Sequence, residues 1–265
     1  MHRVILAFCF LSIAAAANCQ DFEVSPVLMS FNANPGEIQK KEISLINHSS
    51  KPQQYTFKLS DYELDSEGNK KAVPPGSSKR SFADWITINP STVELNPNQT
   101  VSVEVLMAVP KDGFKTRWGM IYVEVAKEQT AFEADKNLAT GVVIIPRIVV
   151  LIKQTPKSNN NYNASIYDLK EITKPEDNQR SFEVQVSNTG DNVIEANISL
   201  VLANMQTAKE EKFNPVTVTI YPDAVRRVKL QLPNELSKGN YALAAILDYG
   251  HRQPLEGTQL LMEVK

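Results

Sequence analysis

The sequence predicts an all-β protein built as two tandem β-sandwiches, and three observations carry that prediction. Apolar residues recur with period two rather than 3.6, clusters of turn-forming residues separate the alternating runs, and one strand–turn–strand pattern occurs twice. The alternating runs are residues 42–47 (EISLIN), 54–59 (QYTFKL), 100–106 (TVSVEVL), 120–125 (MIYVEV), 181–186 (SFEVQV), 216–220 (VTVTI) and 225–232 (VRRVKLQL), most of them rich in β-branched residues. Between them stand Asn34-Pro35-Gly36, Asn47-His48-Ser49-Ser50, Asn96-Pro97-Asn98, Thr189-Gly190-Asp191 and Tyr221-Pro222-Asp223, whose residue types favour tight turns. Short strands at this spacing suit sandwiches. A helical turn is expected only at residues 78–85.

The repeat supports two copies of one fold. Pro90-x-x-Val93-x-Leu95-x-Pro97-x5-Val103-x-Val105 returns as Pro215-x-x-Val218-x-Ile220-x-Pro222-x5-Val228-x-Leu230, every position shifted by 125. A second pair, residues 43–47 (ISLIN) and 184–188 (VQVSN), is offset by 141, so the intervening loop differs in length between the copies. Residues 155–161 (TPKSNNN) are polar, contain a proline and read as the linker. The expected organisation is a signal peptide over 1–20, a first sandwich over 21–154 and a second over 155–265. Two loops, 65–79 with Pro74-Pro75-Gly76 and the charged 128–139, are long for a small sandwich and read as functional or mobile.

At the N-terminus, Arg3 precedes the apolar run 4–17 (VILAFCFLSIAAAA) and small residues follow, the pattern of a secretory signal. The expectation is an exported protein, in the periplasm first and at the cell surface second. Cys9 falls in the signal, which leaves Cys19 at the cleavage junction and no internal disulfide. Membrane attachment would require lipidation of Cys19. With 28 basic and 30 acidic side chains in 265 residues, the chain offers no strong field for nucleic acid.

Residue patterns for catalysis are missing. The sequence has no G-x-S-x-G, H-E-x-x-H or G-x-x-x-x-G-K-[ST] motif and no cysteine pair for zinc. His48 and His251 fall in predicted turns, and Asp61, Glu63, Asp65, Glu210 and Glu211 read as solvated surface. The expectation is a non-catalytic protein without cofactor, metal or small-molecule substrate.

The sharpest signal is a run that breaks the alternation. Residues 141–152 (GVVIIPRIVVLI) are apolar on both faces: Val142, Ile144, Ile148, Val150 and Ile152 share one parity, and Val143, Ile145, Val149 and Leu151, interrupted by Arg147, share the other. A sandwich strand needs one apolar face for its own core, so the second must meet something else. Pro146 lacks an N–H and suits an edge or bulge, where another chain could add a strand. The alternatives for the second face are such a partner, the second sandwich, or the 128–139 loop.

Taken in order, Phe22-x-Val24-x-Pro26, Asn34-Pro35-Gly36, residues 43–50 (ISLINHSS), Ile88-x-Pro90-x-x-Val93-x-Leu95-x-Pro97, residues 117–123 (RWGMIYV) and the 141–153 strand resemble the first domain of periplasmic pilus-assembly chaperones of the PapD-like superfamily. Surface proteins of the WxL-interacting family share this pattern. The second domain looks only generically immunoglobulin-like. The resemblance implies two tandem immunoglobulin-like β-sandwiches and a role in assembling envelope or secreted proteins, with the last strand of the first domain lent to a client. Val143, Ile145, Arg147, Val149 and Leu151 would then bind the partner. The family's basic pair for the client's terminal carboxylate is not matched: residues 27–31 (VLMSF) hold no basic side chain, and Val149 occupies the other aligned position. Arg117 is a candidate substitute for that charge, or a residue stacked on Trp118. A permanent structural or adhesion-associated component of an envelope complex is the alternative function.

Overall fold

The computed structural model of the chain describes residues 21–126, 145–233 and 236–264. Among them are strands β1 (Phe22–Ser25), β2 (Leu28–Phe31), β3 (Ile38–Asn47), β4 (Gln53–Leu64), β5 (Lys70–Val73), β6 (Ile86–Asn89), β7 (Thr92–Leu95), β8 (Thr100–Ala108), β9 (Arg117–Val125) and β10 (Arg147–Gln154). They form one sheet in the order β1-β3-β8-β6 and a second in the order β2-β10-β9-β4-β5, with β7 also paired to β4. The remaining strands are β11 (Ala164–Glu171), β12 (Gln179–Asn188), β13 (Ile194–Asn204), β14 (Glu210–Lys212), β15 (Val216–Ile220), β16 (Val225–Pro233), β17 (Gly239–Asp248) and β18 (Glu256–Val264). These make the sheets β11-β12-β16 and β14-β13-β17-β18, with β15 on β13. The protein is all-β, with two sandwiches in tandem.

Each sandwich encloses its own core, and the period-two pattern explains why. Alternate residues of a strand point to one face, so Val103, Val105 and Met107 of β8 meet Ile43 and Leu45 of β3 and, from the facing sheet, Ile121, Val123, Val150 and Ile152. The second core gathers Phe182, Val184 and Val186 with Val228, Leu230 and Leu232, against Leu243, Ala245 and Leu247. Full burial of one such valine or leucine contributes roughly 1.5–3 kcal/mol.

The repeat is structural as well as textual. Asn47 and Asn188 are both buried at the end of the equivalent strands β3 and β12. Asn47 Nδ2 donates to the carbonyls of Lys51 (2.9 Å) and Leu95 (3.0 Å), and Asn188 Nδ2 to those of Asn192 (2.8 Å) and Ile220 (3.0 Å). The asparagine carbonyls accept from Asn98 N and Asp223 N respectively, and those two residues have φ of 61° and 64°. One side chain thus satisfies two separate turns in each sandwich, which a hydrophobic residue could not do.

Several expectations need correction. Residues 78–85 form successive turns and no helix, and a side chain takes an amide a helix would need: Ala83 N donates to Ser81 Oγ (3.0 Å). Asp61 itself is buried rather than solvated, because Ser81 Oγ and Ser78 N surround its carboxylate. The 65–79 loop contains β5, which pairs with β4 in a hairpin. The polar linker is bonded to both sandwiches: Ser158 N donates to Asn34 Oδ1 (3.0 Å), and Asn159 Nδ2 to Asp191 Oδ2 (2.7 Å). The signal segment, the 128–139 loop and Val143 lie outside the described residues.

Candidate partner-binding face

β10 runs antiparallel to β9 along its whole length, from Arg147 opposite Glu124 to Gln154 opposite Arg117. On its other side it meets β2, parallel, but only from Leu151 to Gln154. The sequence expectation of an edge strand therefore holds for one half: β2 covers the C-terminal half, while over residues 147–150 no described strand lies beside it. Leu151 N donates to Val27 O (2.9 Å) and Thr155 N to Phe31 O (3.0 Å) on the β2 side. Main-chain groups of alternate residues point the same way, so the N–H and C=O of Arg147 and Val149 face the uncovered edge.

Parity assigns the side chains. Val150 and Ile152 are fully buried in the core, and Arg147, Val149, Leu151 and Lys153 point outward. Register extends this outward face across the sheet: Val149 stands opposite Tyr122, Leu151 opposite both Met120 and Leu28, and Lys153 opposite Trp118. Val27, Leu28, Met120, Tyr122, Val149 and Leu151 line an apolar depression of about 410 Å³, closed on one side by Lys70 and Ala72 of β5. Leu28, 69% exposed, forms its rim.

At one end the depression meets the second sandwich. Tyr62 and Trp118 pack on Tyr221, with ring centroids 6.0 and 4.9 Å apart, and the Tyr62 and Tyr221 hydroxyls are 2.9 Å apart. Burial, reinforced by Tyr221, pushes the Tyr62 phenol far above its ordinary pKa, so it stays protonated. Beside this cluster Arg80 donates to Asp191 Oδ1, Asp223 Oδ2 and Thr116 O, joining the two sandwiches. Burial opposes its charge, but the bonds to Asp191 and then Asp223 outweigh that and raise its pKa. At the other end Arg147 lies over the Tyr122 ring (4.7 Å) and shares Glu124 with Lys58.

Of the residues predicted to bind a partner, Arg147, Val149 and Leu151 share this face. Ile145 precedes β10 and is exposed. Arg117 lies elsewhere: its parity is that of Ile121 and Val123, so it points to the other side of the sheet, where its guanidinium lies 4.2 Å from the centre of the Trp85 ring and bonds Ser81 O. Burial, then the charge of Arg80, lowers its pKa. It stacks on Trp85, not Trp118, and it holds the 81–85 turns in place. Lys153 was not anticipated, although alternation from Leu151 reaches it directly. It is half-buried, beside Trp118, and carries no ion pair among the described residues. Tyr62, Lys70 and Tyr221 come from distant segments that no local pattern connects to β10.

Among the described residues no group of three His, Cys, Asp or Glu side chains stands close enough to hold a metal. His48 Nε2 lies 3.2 Å from Glu23, and His251 stacks on Tyr162 at 3.6 Å.

No protein-family model matches the chain, and no curated protein matches it by sequence. Among solved structures, 92% of the chain aligns with 99% of the class 5 fimbriae chaperone CfaA, at 14% identity and a TM-score of 0.47. The same share aligns with 98% of the E. coli chaperone DraB, at 13% identity and a TM-score of 0.42. In the CsuC–CsuE chaperone–tip adhesion subunit complex of Acinetobacter baumannii, 89% of one chain aligns with 78% of this one, at 11% identity and a TM-score of 0.43. What this chain shares with these chaperones is a likeness of fold.

Proposed function

We propose that the protein is an exported, non-catalytic binding module that receives an extended segment of another envelope or secreted protein along residues 147–150 of β10. One observation carries this reading: a strand edge that no described strand covers and an apolar depression lie side by side on the same strand. Main-chain bonds to Arg147 and Val149 would supply affinity that is indifferent to sequence. Side chains of one parity would enter the depression between Tyr122, Val149, Leu151 and Leu28 and supply selectivity.

The test is crosslinking and recovery of the tagged protein from cell envelopes, with wild type, Val149→Asp and, on the exposed surface of β16, Lys229→Asp compared. A partner recovered with wild type and Lys229→Asp and lost with Val149→Asp is the expected result. Substoichiometric, releasable recovery marks an assembly chaperone, and a constant ratio marks a permanent component of a complex. Equal recovery by all three proteins would overturn the assignment of this face.

A further inference from the structure

The hairpin formed by β4 and β5 reaches beyond its own sandwich. Its tip, residues 65–69, is rigid by construction: Asp65 Oδ1 accepts from Glu67 N and Asn69 N (both 2.9 Å), Asp65 Oδ2 from Asn69 Nδ2 (2.9 Å), and Gly68 N donates to Asp65 O (2.9 Å). This tip touches β16, an edge strand of the second sandwich. Arg227 N donates to Ser66 O (2.8 Å), its guanidinium to Ser66 Oγ, and its Nη2 stands 3.6 Å from Glu67 Oε1. Since β16 pairs with β12 on its other side, Ser66 supplies an acceptor to an N–H that would otherwise face solvent.

Gly68 shows how close the fit is. Its φ is +77°, and a β-carbon added there would fall 1.5 Å from Arg226 Nη1, so the neighbouring guanidinium occupies the space a side chain would take. Arg226 Nε and Nη1 are shielded from solvent with no acceptor among the described residues. They are held there by contact with the turn and not by a charge.

We infer that the hairpin tip is a latch that fixes the angle between the two sandwiches. The contacts of Tyr62 and Trp118 with Tyr221, the Arg80 cluster and the linker's Asn159, which shares Asp191 with Arg80, gather in one region and alone would leave the second sandwich free to rock about it. The tip adds an attachment two residues past the end of β4, and a second attachment away from the first removes the rotation. The end of the apolar depression that meets the second sandwich is thereby shaped in advance. The inference stands apart from the partner reading, because its readout is the angle and not binding.

Cysteines in place of exposed Lys51 and Lys174, one on each sandwich, in a Cys19→Ser background, carry nitroxide labels for double electron–electron resonance. The parent should give one narrow distance distribution. Arg227→Ala and Gly68→Val should each broaden it at least twofold, and Gly68→Val should speed amide exchange at Arg227 at least tenfold. If Gly68→Val does not fold, Arg227→Ala decides alone, since its side chain is exposed. Distributions unchanged from the parent, or a parent already as broad as the variants, would overturn the latch.

Discussion

Adjacent valines on β10 should respond to the same substitution in opposite ways. Val150 is fully buried against the first core. Val150→Asp removes roughly 1.5–3 kcal/mol of apolar burial and places a carboxylate where no partner exists, which costs several kcal/mol more even after it protonates. The sum, of order 5 kcal/mol or above, is comparable to the whole stability of a domain, and the first sandwich should not fold. Val149 is half-buried on the outward face, so Val149→Asp forfeits only part of a side chain's burial, about 1 kcal/mol, and its carboxylate reaches water. Urea denaturation followed by circular dichroism measures both. A Val149→Asp protein that loses more than about 3 kcal/mol would refute the parity assignment, because that magnitude requires a buried charge. The face would then be core, and the proposed function would fall with it.

Two further outcomes test the frame that holds this face. Asn47→Ala leaves the Tyr55 hydroxyl buried without its acceptor, at about 1–3 kcal/mol, and takes one donor from the Leu95 carbonyl. Asn188→Ala takes a donor from the Asn192 and Ile220 carbonyls, so each variant should lower the denaturation midpoint of its own sandwich, and losses below about 0.5 kcal/mol would deny the asparagines their role. Glu171 is held below its ordinary pKa, chiefly by Arg180, which bonds both its oxygens (2.9 and 2.7 Å). A lowered folded-state pKa means that the contribution is present above the unfolded value and fades as the pH falls through the folded one. The stability gap between wild type and Glu171→Gln, of order 0.5–1 kcal/mol at neutral pH, should therefore close on acidification to about pH 3. A gap that persists there would show that the pair acts by packing.

How far the sequence foretold all this depends on how local each signal is. β15 runs over the residues its alternation picked out, and β8, β12 and β16 exceed their runs by two, four and one residues. β13 and β17 left no comparable trace, since ISLVLA and YALAAIL place apolar or small residues side by side and fit a buried helix as well as a strand. The outward parity of Val149 and Leu151 was likewise legible, because β10 is one continuous segment. The rest of the site was not: Tyr62, Lys70, Trp118 and Tyr221 meet it through two hairpins and a domain contact, and pairing between remote segments is a property of register, not of any local window. Arg117 was misplaced by the same token. Its neighbour in the chain is Trp118, but adjacent strand residues point to opposite faces, and the indole it reaches is that of Trp85.

The twin asparagines also measure what distinguishes the two halves. They lie 141 residues apart and the Pro90 and Pro215 patterns 125 apart, so the first half is longer between them by 141 − 125, or 16 residues. That surplus falls between the end of β4 and Pro90, the stretch that contains the hairpin tip, β5 and Arg80. The bonds that reach Arg227, Asp191 and Asp223 from Ser66, Glu67 and Arg80 all start in this stretch; from outside it Asp191 also receives the linker's Asn159 and Thr116 N. If the halves descend from one ancestral unit, the added length went into gripping the sibling rather than into a larger core. A version trimmed back to the shorter pattern would still have the material for two sandwiches, but only Trp118, Thr116 and the linker would be left to hold them together.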